Sequence, residues 1–186
     1  MIFLYLLILT LFLIIIFFIA RTAIVAFSMN TEVPFLPSES LYKEAIKYLD
    51  IEEGDRVLDI GSGDGRVLIY AARRYPNAQF VGIERNSLLV IYSKFVRCLL
   101  GLSNLAFYHT KAEDFDISEF NKIYMYLLPE FSDKILMSKI DSIKEDTAIL
   151  SFHYPFGNKF SAINKSIQYP VKYNNREDKI YKYIHK

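Results

Sequence analysis

One short segment, in which an apolar strand leads into a glycine-rich turn and then a helix, limits the fold of this chain more than any other feature. It is Val57-Leu58-Asp59-Ile60-Gly61-Ser62-Gly63-Asp64-Gly65-Arg66. The three glycines permit positive φ angles and a close approach of the backbone to a ligand. A strand, such a turn and a helix form the first unit of a doubly wound α/β sheet. The segment therefore predicts a ligand-binding α/β domain.

The spacing of these glycines separates two classes of nucleotide ligand. A dinucleotide-binding fingerprint has the spacing G-x-G-x-x-G and holds a pyrophosphate at the N-terminus of the following helix. Here the spacing is G-x-G-x-G, and Asp64 lies inside the loop. Because a carboxylate at this point repels phosphates, the loop favours a ligand without them.

A second carboxylate supports the same ligand class. Glu84 ends the next predicted strand, twenty-five residues after Asp59, and the sheet brings it beside the loop of the first strand. There it can accept hydrogen bonds from both hydroxyls of a ribose. Asp59 and Glu84 thus frame a nucleoside without phosphates, and S-adenosylmethionine fits this description. The alternative is a glycine turn that serves only strand–helix packing, with Glu84 there by chance.

Extended apolar runs alternate with helical patterns along the rest of the chain. The predicted strands are Arg56–Ile60, Gln79–Glu84, Leu105–His109, Lys122–Leu127 and Thr147–His153. The predicted helices are Ser38–Leu49, Arg66–Tyr75, Ser87–Leu100 and Phe131–Ile140. Two last strands, Ile167–Tyr173 and Lys179–His185, flank a polar turn and predict an antiparallel hairpin. The predicted fold class is therefore α/β and Rossmann-like, with a seven-stranded, mostly parallel sheet.

The N-terminal segment has a different character. From Ile2 to Ala20 every residue is apolar except Tyr5 and Thr10, and a helix of about 20 such residues crosses a hydrocarbon core of ~30 Å. A cleaved signal peptide is the alternative, but no basic region precedes the run and no A-x-A site follows it. Arg21 follows the span, so the positive-inside tendency places the next domain in the cytoplasm. The sequence predicts a single-pass membrane anchor over 1–27, a linker with an amphipathic helix over 28–50, and the α/β domain over 51–186.

Charge and composition make two kinds of partner unexpected. The net charge of +1, from 22 Lys plus Arg against 21 Asp plus Glu, gives no strong field for nucleic acid. The three histidines lie too far apart for a metal-binding motif, so no metal is expected. The single cysteine, Cys98, cannot form an internal disulfide and is expected in the core of an apolar helix.

The segment from Asp59 to Arg66 resembles the first motif of the class I, Rossmann-like, S-adenosylmethionine-dependent methyltransferases. Among them the chain is most similar to the FAM173-type protein lysine methyltransferases. Those proteins share an N-terminal membrane segment, a Pro-Phe-x-Pro stretch, here Pro34-Phe35-Leu36-Pro37, and an apolar fourth strand ending at a proline, here Pro129. The resemblance covers most of residues 33–154 and implies a methyltransferase domain over 51–186. It implies that S-adenosylmethionine is held by Asp59, Gly61, Ser62, Gly63, Asp64, Gly65 and Glu84.

The adenine contact departs from the family pattern. Family members commonly carry an acidic residue after the third strand, where this chain has Lys111. Either Glu113 or Asp114 takes that place, or backbone and apolar contacts hold the adenine.

On the acceptor side, the candidate catalytic residues are Pro129 and Glu130. They follow the fourth strand, and ligands of such sheets gather beyond the carboxyl ends of the strands. Glu130 either orients an amine or accepts its proton, or it only complements the dipole of the next helix. Tyr126, on the strand before them, is expected in the core.

Three functions remain open. The first is a lysine methyltransferase that acts on a membrane protein. The second is a methyltransferase for a membrane-soluble small molecule, such as a quinone or a lipid. The third is an assembly protein that binds S-adenosylmethionine without catalysis, because no catalytic residue is certain.

Overall fold

The computed structural model describes residues 1–28, 39–157, 160–161, 164–173 and 176–186. The strands in these ranges are β1 (Arg56–Ile60), β2 (Gln79–Glu84), β3 (Leu105–His109), β4 (Lys122–Met125), β5 (Ala148–Phe152), β6 (Lys165–Tyr173) and β7 (Arg176–Ile184). The helices are α1 (Ile2–Ser28), α2 (Glu39–Lys47), α3 (Arg66–Arg74), α4 (Ser87–Leu99) and α5 (Pro129–Ser138). Two 3₁₀ turns cover Ala112–Asp114 and Ile140–Ser142. The Pro34-Phe35-Leu36-Pro37 stretch and most of the predicted linker lie outside the described residues.

The strands form one seven-stranded sheet in the order β3-β2-β1-β4-β5-β7-β6. The first five strands are parallel, and β7 runs antiparallel to both β5 and β6. The predicted Rossmann-like sheet with a closing antiparallel hairpin is therefore confirmed. Because the strand order reverses between β1 and β4, a crevice opens at the carboxyl ends of these two strands.

Apolar side chains cover both faces of the sheet. On one face α2 packs beside α3, and its Ala45 and Ile46 are fully buried, as expected for an amphipathic helix. Leu49, predicted in this helix, is also fully buried but follows its end at Lys47. On the other face α5 contributes Leu136, which is also fully buried. Each buried aliphatic side chain of this size stabilises the fold by about 1.5–3 kcal/mol. The two layers hold the carboxyl edge of the sheet rigidly.

Two parallel strands end earlier than predicted. β4 stops at Met125 rather than Leu127, because its register partner on β1 is Ile60, the last residue of that strand. β5 stops at Phe152 because His153 has a φ of 70°, which an extended strand does not permit. Both departures place the following side chains at the carboxyl edge of the sheet.

The last helix and the last strand begin earlier than predicted. α5 begins at Pro129 rather than Phe131, because the first helical position needs no backbone N–H and suits proline. β7 begins at Arg176 rather than Lys179, since residues predicted to form a turn pair with β6. Asp178 therefore lies on a strand, opposite Val171.

The N-terminal apolar run forms α1, in agreement with the predicted helix. Its 27 residues extend about 40 Å at 1.5 Å per residue. The large apolar side chains described between Ile2 and Ile19 are all exposed. Counted over the residues described in full, no helix is both long enough and apolar enough to cross a membrane. The membrane crossing stays a prediction.

Helix α4 buries less of its apolar surface than its sequence suggests. Leu89, Val90 and Ser93 are buried, and they lie on the face that packs against the sheet. The expectation that Cys98 lies in the core is wrong, because this side chain is exposed on the other side of α4.

Candidate functional site

The glycine loop folds tightly against β2 at the carboxyl edge of the sheet. The backbone N–H groups of Gly61 and Ser62 both donate to the carbonyl of Ile83, at 2.9 and 3.0 Å. Gly61, Gly63 and Gly65 have φ angles of 81°, 55° and 77°. Only glycine adopts this run of positive φ without strain. The bend therefore brings its backbone next to the end of β2.

The carboxylate of Glu84 faces this bend. Its Oε2 accepts a hydrogen bond from the backbone N–H of Gly63 at 3.1 Å, and its Oε1 accepts one from Asn86 at 2.8 Å. These two bonds fix the carboxylate between the loop and the start of α4. Its remaining lone pairs are available to two adjacent hydroxyl groups.

A cavity of about 360 Å³ opens beside Glu84, within the size range of small-molecule sites. It is lined by Ile60, Gly61, Ile83, Glu84, Arg85, Thr110, Lys111, Ala112, Glu113, Leu127, Phe131, Lys134 and Ile135. Of the two acidic residues considered for the adenine, Glu113 lines the cavity and lies 3.8 Å from Lys134, and Asp114 is not among the lining residues. Ile83 and Ala112 supply an apolar surface suited to a flat base.

Asp59 lies buried at the end of β1 beside this loop. Burial, followed by the charges of Glu84 and Asp64, raises the pKa of Asp59 well above its usual range. Two hydroxyls in the same region, those of Ser62 and Tyr124, are buried without a hydrogen-bond partner among the described residues. None of these three residues lines the cavity; a ligand that also reached the loop and brought positive charge and polar atoms would match them.

S-adenosylmethionine meets each of these demands. Glu84 would hold the ribose, and Asp59 would face the cationic amino-acid end of the molecule. The bound cofactor supplies a methyl group carried on a sulfonium. The contribution of the protein is to orient this group and to exclude water around it.

Two of the predicted cofactor residues serve the loop itself. Arg66 donates from Nε and Nη2 to the two carboxylate oxygens of Asp64, at 2.9 and 2.7 Å, so this carboxylate already has a counter-charge. A Cβ at Gly65 would lie 2.5 Å from the Phe107 ring, and one at Gly82 would lie 2.6 Å from the same ring. At Gly65, the absence of a side chain therefore allows close packing against Phe107. Gly61, in contrast, lines the cavity.

The two residues predicted on the acceptor side lie at the start of α5. Pro129 is its first residue, and Glu130 is exposed in its first turn. Neither lines the cavity, which α5 reaches through Phe131, Lys134 and Ile135 instead. Of the two interpretations of Glu130, this position suits the one in which it complements the helix dipole.

Comparison with known protein families gives a direct match. The model of the ANTKMT methyltransferase domain matches residues 59–161, more than half of the 186-residue chain. The chain belongs to the ANTKMT methyltransferase family. The match begins at Asp59, so the family domain includes both the glycine loop and Glu84.

Relatives of this ANTKMT-family chain occur in animals and archaea. It is similar to the human ATP synthase C-subunit lysine N-methyltransferase, with 30% identity over 125 residues, covering 66% of this chain and 52% of that protein. It is similar to a protein-lysine N-methyltransferase of Saccharolobus islandicus (strain REY15A), with 26% identity over 66% of this chain and 77% of the relative. The chain spans about half the length of the vertebrate relatives that it matches.

Solved structures share the fold of this ANTKMT-family chain. An RNA methyltransferase from Salinibacter ruber, in complex with S-adenosyl-L-homocysteine, has a TM-score of 0.69 and 27% identity, covering 81% of this chain and 94% of that one. A precorrin-6y C5,15-methyltransferase from Geobacter metallireducens GS-15 has a TM-score of 0.64 and 13% identity, with coverage of 81% and 90%. The second likeness concerns the fold alone.

Sequence reasoning missed a group of side chains beyond β4 and β5 in this ANTKMT-family chain. Tyr126, expected in the core, is only half-buried, and His153 and Tyr154 follow directly after β5. The sequence does hold one signal for this group: three ring side chains, Phe152, His153 and Tyr154, follow one another where a parallel strand ends, and ligands gather at such strand ends. Their partner Asp178 is distant in sequence and gave no local signal.

Replacing Glu84 by glutamine in this ANTKMT-family chain should weaken the binding of S-adenosylhomocysteine about 10- to 100-fold. Hydrogen bonds to a charged acceptor contribute about 1.5–3 kcal/mol, and the amide would turn an N–H toward a donor. A thermal-shift titration measures the change in affinity. Glu119→Gln, which alters an exposed ion pair with Arg56, is the matched control and should leave the affinity unchanged. Equal affinities of wild type and Glu84→Gln would contradict this role.

Proposed function

We propose that this ANTKMT-family chain is an S-adenosylmethionine-dependent protein-lysine N-methyltransferase that is tethered to a membrane and acts on a membrane protein. The observation that carries the activity is the carboxylate of Glu84, held against the glycine loop at 3.1 Å beside the buried Asp59. The names of the human and archaeal relatives support lysine as the acceptor. Family membership supports methyl transfer as the reaction.

The chemistry of a lysine acceptor sets two tasks for the protein. An amine with a reference pKa of about 10.4 is mostly protonated at neutral pH, so the site must bind it and favour its neutral form. The site must also align the nitrogen lone pair with the methyl group. Both tasks fall to side chains at the carboxyl ends of β4 and β5, next to the cofactor cavity.

Helix α1 supports a membrane tether. Its described apolar side chains are exposed, and a helix of 27 residues is longer than the ~30 Å hydrocarbon core at 1.5 Å per residue. Arg21 follows the most apolar part, which favours a cytoplasmic position for the α/β domain. Protease treatment of sealed, inside-out membrane vesicles tests this orientation. A cytoplasmic domain lies on the outside of such vesicles and should be degraded, whereas a domain on the other side of the membrane should be protected.

A second apolar surface supports the same tether. Leu88, Ile91, Phe95 and Leu99 are spaced three or four residues apart on α4, and each side chain is more than half exposed. They form one stripe along the helix, which we call the α4 stripe. Helix α1 contacts α4, so a bilayer that holds α1 lies within reach of the α4 stripe. Lipid acyl chains would cover the large apolar side chains that water now contacts.

A tryptophan at the α4 stripe should report this lipid contact. The chain contains no tryptophan, so Ile91→Trp introduces a single probe. We expect its fluorescence to shift to the blue in vesicles and to be quenched by brominated lipids. Lys144→Trp, at an exposed position just before β5, three strands away from β2 in the sheet, should remain unquenched. Equal behaviour of the two probes would contradict membrane contact by the α4 stripe.

The proposed activity is tested by incubating the full chain with membranes and radiolabelled S-adenosylmethionine. We expect label in the protein fraction, on lysine Nε after hydrolysis. Label in extracted lipid would favour a small membrane-soluble acceptor instead, and label in RNA would favour the substrate class named for the Salinibacter ruber structure. Binding of S-adenosylhomocysteine without any transfer would favour the non-catalytic alternative.

A further inference from the structure

Four side chains with rings lie together at and just beyond the carboxyl ends of β4 and β5. They are Tyr126, Phe152, His153 and Tyr154, and we call them the aromatic cluster. The Tyr126 ring centroid lies 5.3 Å from that of Phe152 and 6.4 Å from that of Tyr154, which is nearly parallel to it. The His153 ring meets Tyr154 edge-on at 4.4 Å. Tyr126 and Tyr154 are half-buried, so both can contact a ligand from solvent.

His153 is held in an unusual conformation by β7. Its φ is 70°, and its backbone N–H donates to the carbonyl of Lys179 at 3.0 Å. Its ring Nδ1 lies 2.8 Å from Oδ1 of Asp178. When Nδ1 donates its proton to that carboxylate, Nε2 carries the free lone pair. A non-glycine residue at positive φ is strained, and such strain clusters at functional sites.

Electrostatic contacts join the aromatic cluster to the cofactor site. Asp59 on β1 is the register partner of Tyr124 on β4, and Tyr126 follows two residues later, just beyond the end of β4. Burial, and then the charge of Asp59 and the hydroxyl of Tyr126, raise the pKa of Tyr124. Burial, and then Tyr154 and Asp178, raise the pKa of Tyr126 to about 12. Electrostatic interactions thus link Asp59 through Tyr124 and Tyr126 to Asp178.

We propose that the aromatic cluster binds the acceptor lysine side chain, with Tyr126 and Tyr154 against its methylenes and ammonium group, and that His153 Nε2 accepts the proton from Nζ. The proposal rests on the proposed lysine methyltransferase function and names its acceptor site. Rings of this kind attract a cation within about 6 Å of their centroids. Neither the side chain of Glu130 nor that of Pro129 is needed for this site.

The proton transfer balances with groups that are present. The N–H bond of the ammonium breaks, its electron pair stays on Nζ as the lone pair that methyl transfer requires, and the proton binds His153 Nε2. The resulting imidazolium is paired with Asp178. Because His153 is exposed, it can then release the proton to water.

Binding can be tested without turnover, because the chain has only three histidines. Isotope-labelled histidine gives a few NMR signals from the full chain in detergent, and that of His153 is the one absent from His153→Asn. Titration with n-butylammonium, the side-chain fragment of lysine, should shift the His153 signal. The signal of His185, which is buried and bonded to Asn164, should not move. No shift, or an equal shift with the uncharged analogue n-butanol, would overturn the proposed ammonium site.

Turnover tests the proton transfer. His153→Asn should lower the methylation rate about 100-fold, with unchanged S-adenosylhomocysteine binding, because asparagine tolerates positive φ but lacks the basic nitrogen. Added imidazole should restore part of the rate, which it would not do for a structural defect. Asp146→Asn is the matched control and should keep full activity, since Asp146 also has a positive φ, 63°, but precedes β5 at the opposite edge.

The two levels of failure are distinguishable. If the wild-type protein methylates no lysine, the proposed function fails, whereas the n-butylammonium titration still decides whether the aromatic cluster binds an ammonium group. If the wild type methylates lysine and both His153→Asn and Tyr126→Leu, which removes the ring, retain the full rate, the acceptor site proposed here is wrong and the function stands.

Discussion

Replacing Asp59 by asparagine should make the ligand-free protein more stable while strongly weakening its binding of S-adenosylmethionine. Asp59 is 2% exposed, and the nearby charges of Glu84 and Asp64 are also negative. Removing the buried charge should raise the thermal midpoint by a few degrees, since such a change contributes about 0.5–2 kcal/mol and each kcal/mol shifts the midpoint by about 2–4 °C. The same carboxylate would be the counter-charge of the ligand cation, so affinity should fall about 100-fold or more.

The stabilisation should depend on pH in a defined direction. Burial and the two negative neighbours raise the pKa of Asp59 above its ordinary value of 3.8. Between the ordinary and the raised value, the folded protein binds a proton that the unfolded chain has lost, so its stability falls as the pH rises. Thermal melts of wild type and Asp59→Asn should therefore differ most at neutral pH and converge as the pH falls toward the ordinary value.

Asp55→Asn is the matched comparison at the amino end of β1. The Asp55 carboxylate accepts hydrogen bonds from Glu52 N at 2.8 Å and Asn121 Nδ2 at 2.6 Å, and it lies 3.7 Å from the Lys122 ammonium. Loss of its charge should lower stability and leave cofactor affinity unchanged. A gain of stability in Asp59→Asn and a loss in Asp55→Asn would separate a ligand-binding carboxylate from a structural one. A stability change of the same sign in both variants would contradict the role given to Asp59.

Replacing Gly65 by alanine should destabilise the fold by about 2–4 kcal/mol, or roughly 10 °C in the thermal midpoint. The cost has two parts, because Gly65 has a φ of 77° and a Cβ there would lie 2.5 Å from Phe107 Cζ and 3.0 Å from Ser93 Oγ. Chemical denaturation measures the change in the free energy of unfolding. Phe107→Leu in the Gly65→Ala background should recover the steric part alone.

Gly54→Ala isolates the backbone part of this cost. Gly54 has a φ of 83°, and nothing lies within 4 Å of the place where its Cβ would be. The substitution should cost about 1–2 kcal/mol, as a left-handed backbone does for an L-residue. If Gly54→Ala and Gly65→Ala destabilised the protein equally, the packing role of Gly65 against Phe107 would be wrong.

The fold could be predicted from the sequence because the signals for its strands, turns and helices lie within short segments. The strand, glycine turn and helix from Val57 to Arg66 combine a buried strand, positive φ at three glycines and a helix start within a few residues. The position of Glu84 then followed from the pairing of β2 with β1, which a parallel α/β sheet requires. The errors in the bounds lie at the ends of strands and helices, where neighbouring residues and partner strands decide how far each element continues.

The acceptor side resisted prediction because its parts meet only in three dimensions. His153 and Asp178 come together because β7, and not β6, pairs with β5, and a hairpin pattern does not fix this order. Asp178 also lies in a polar stretch that the sequence predicted to be a turn, whereas the structure places it on β7. The α4 stripe was hidden for another reason, since apolar spacing on a helix does not reveal which of two faces the sheet covers.

The cavity beside Glu84 is expected to bind a nucleoside without phosphates. Calorimetric titration of the full chain in detergent with S-adenosylhomocysteine, and separately with NADH, tests it most directly. We expect saturable binding of one S-adenosylhomocysteine per chain and a much weaker or undetectable response to NADH. Tighter binding of NADH, or no binding of S-adenosylhomocysteine, would contradict it.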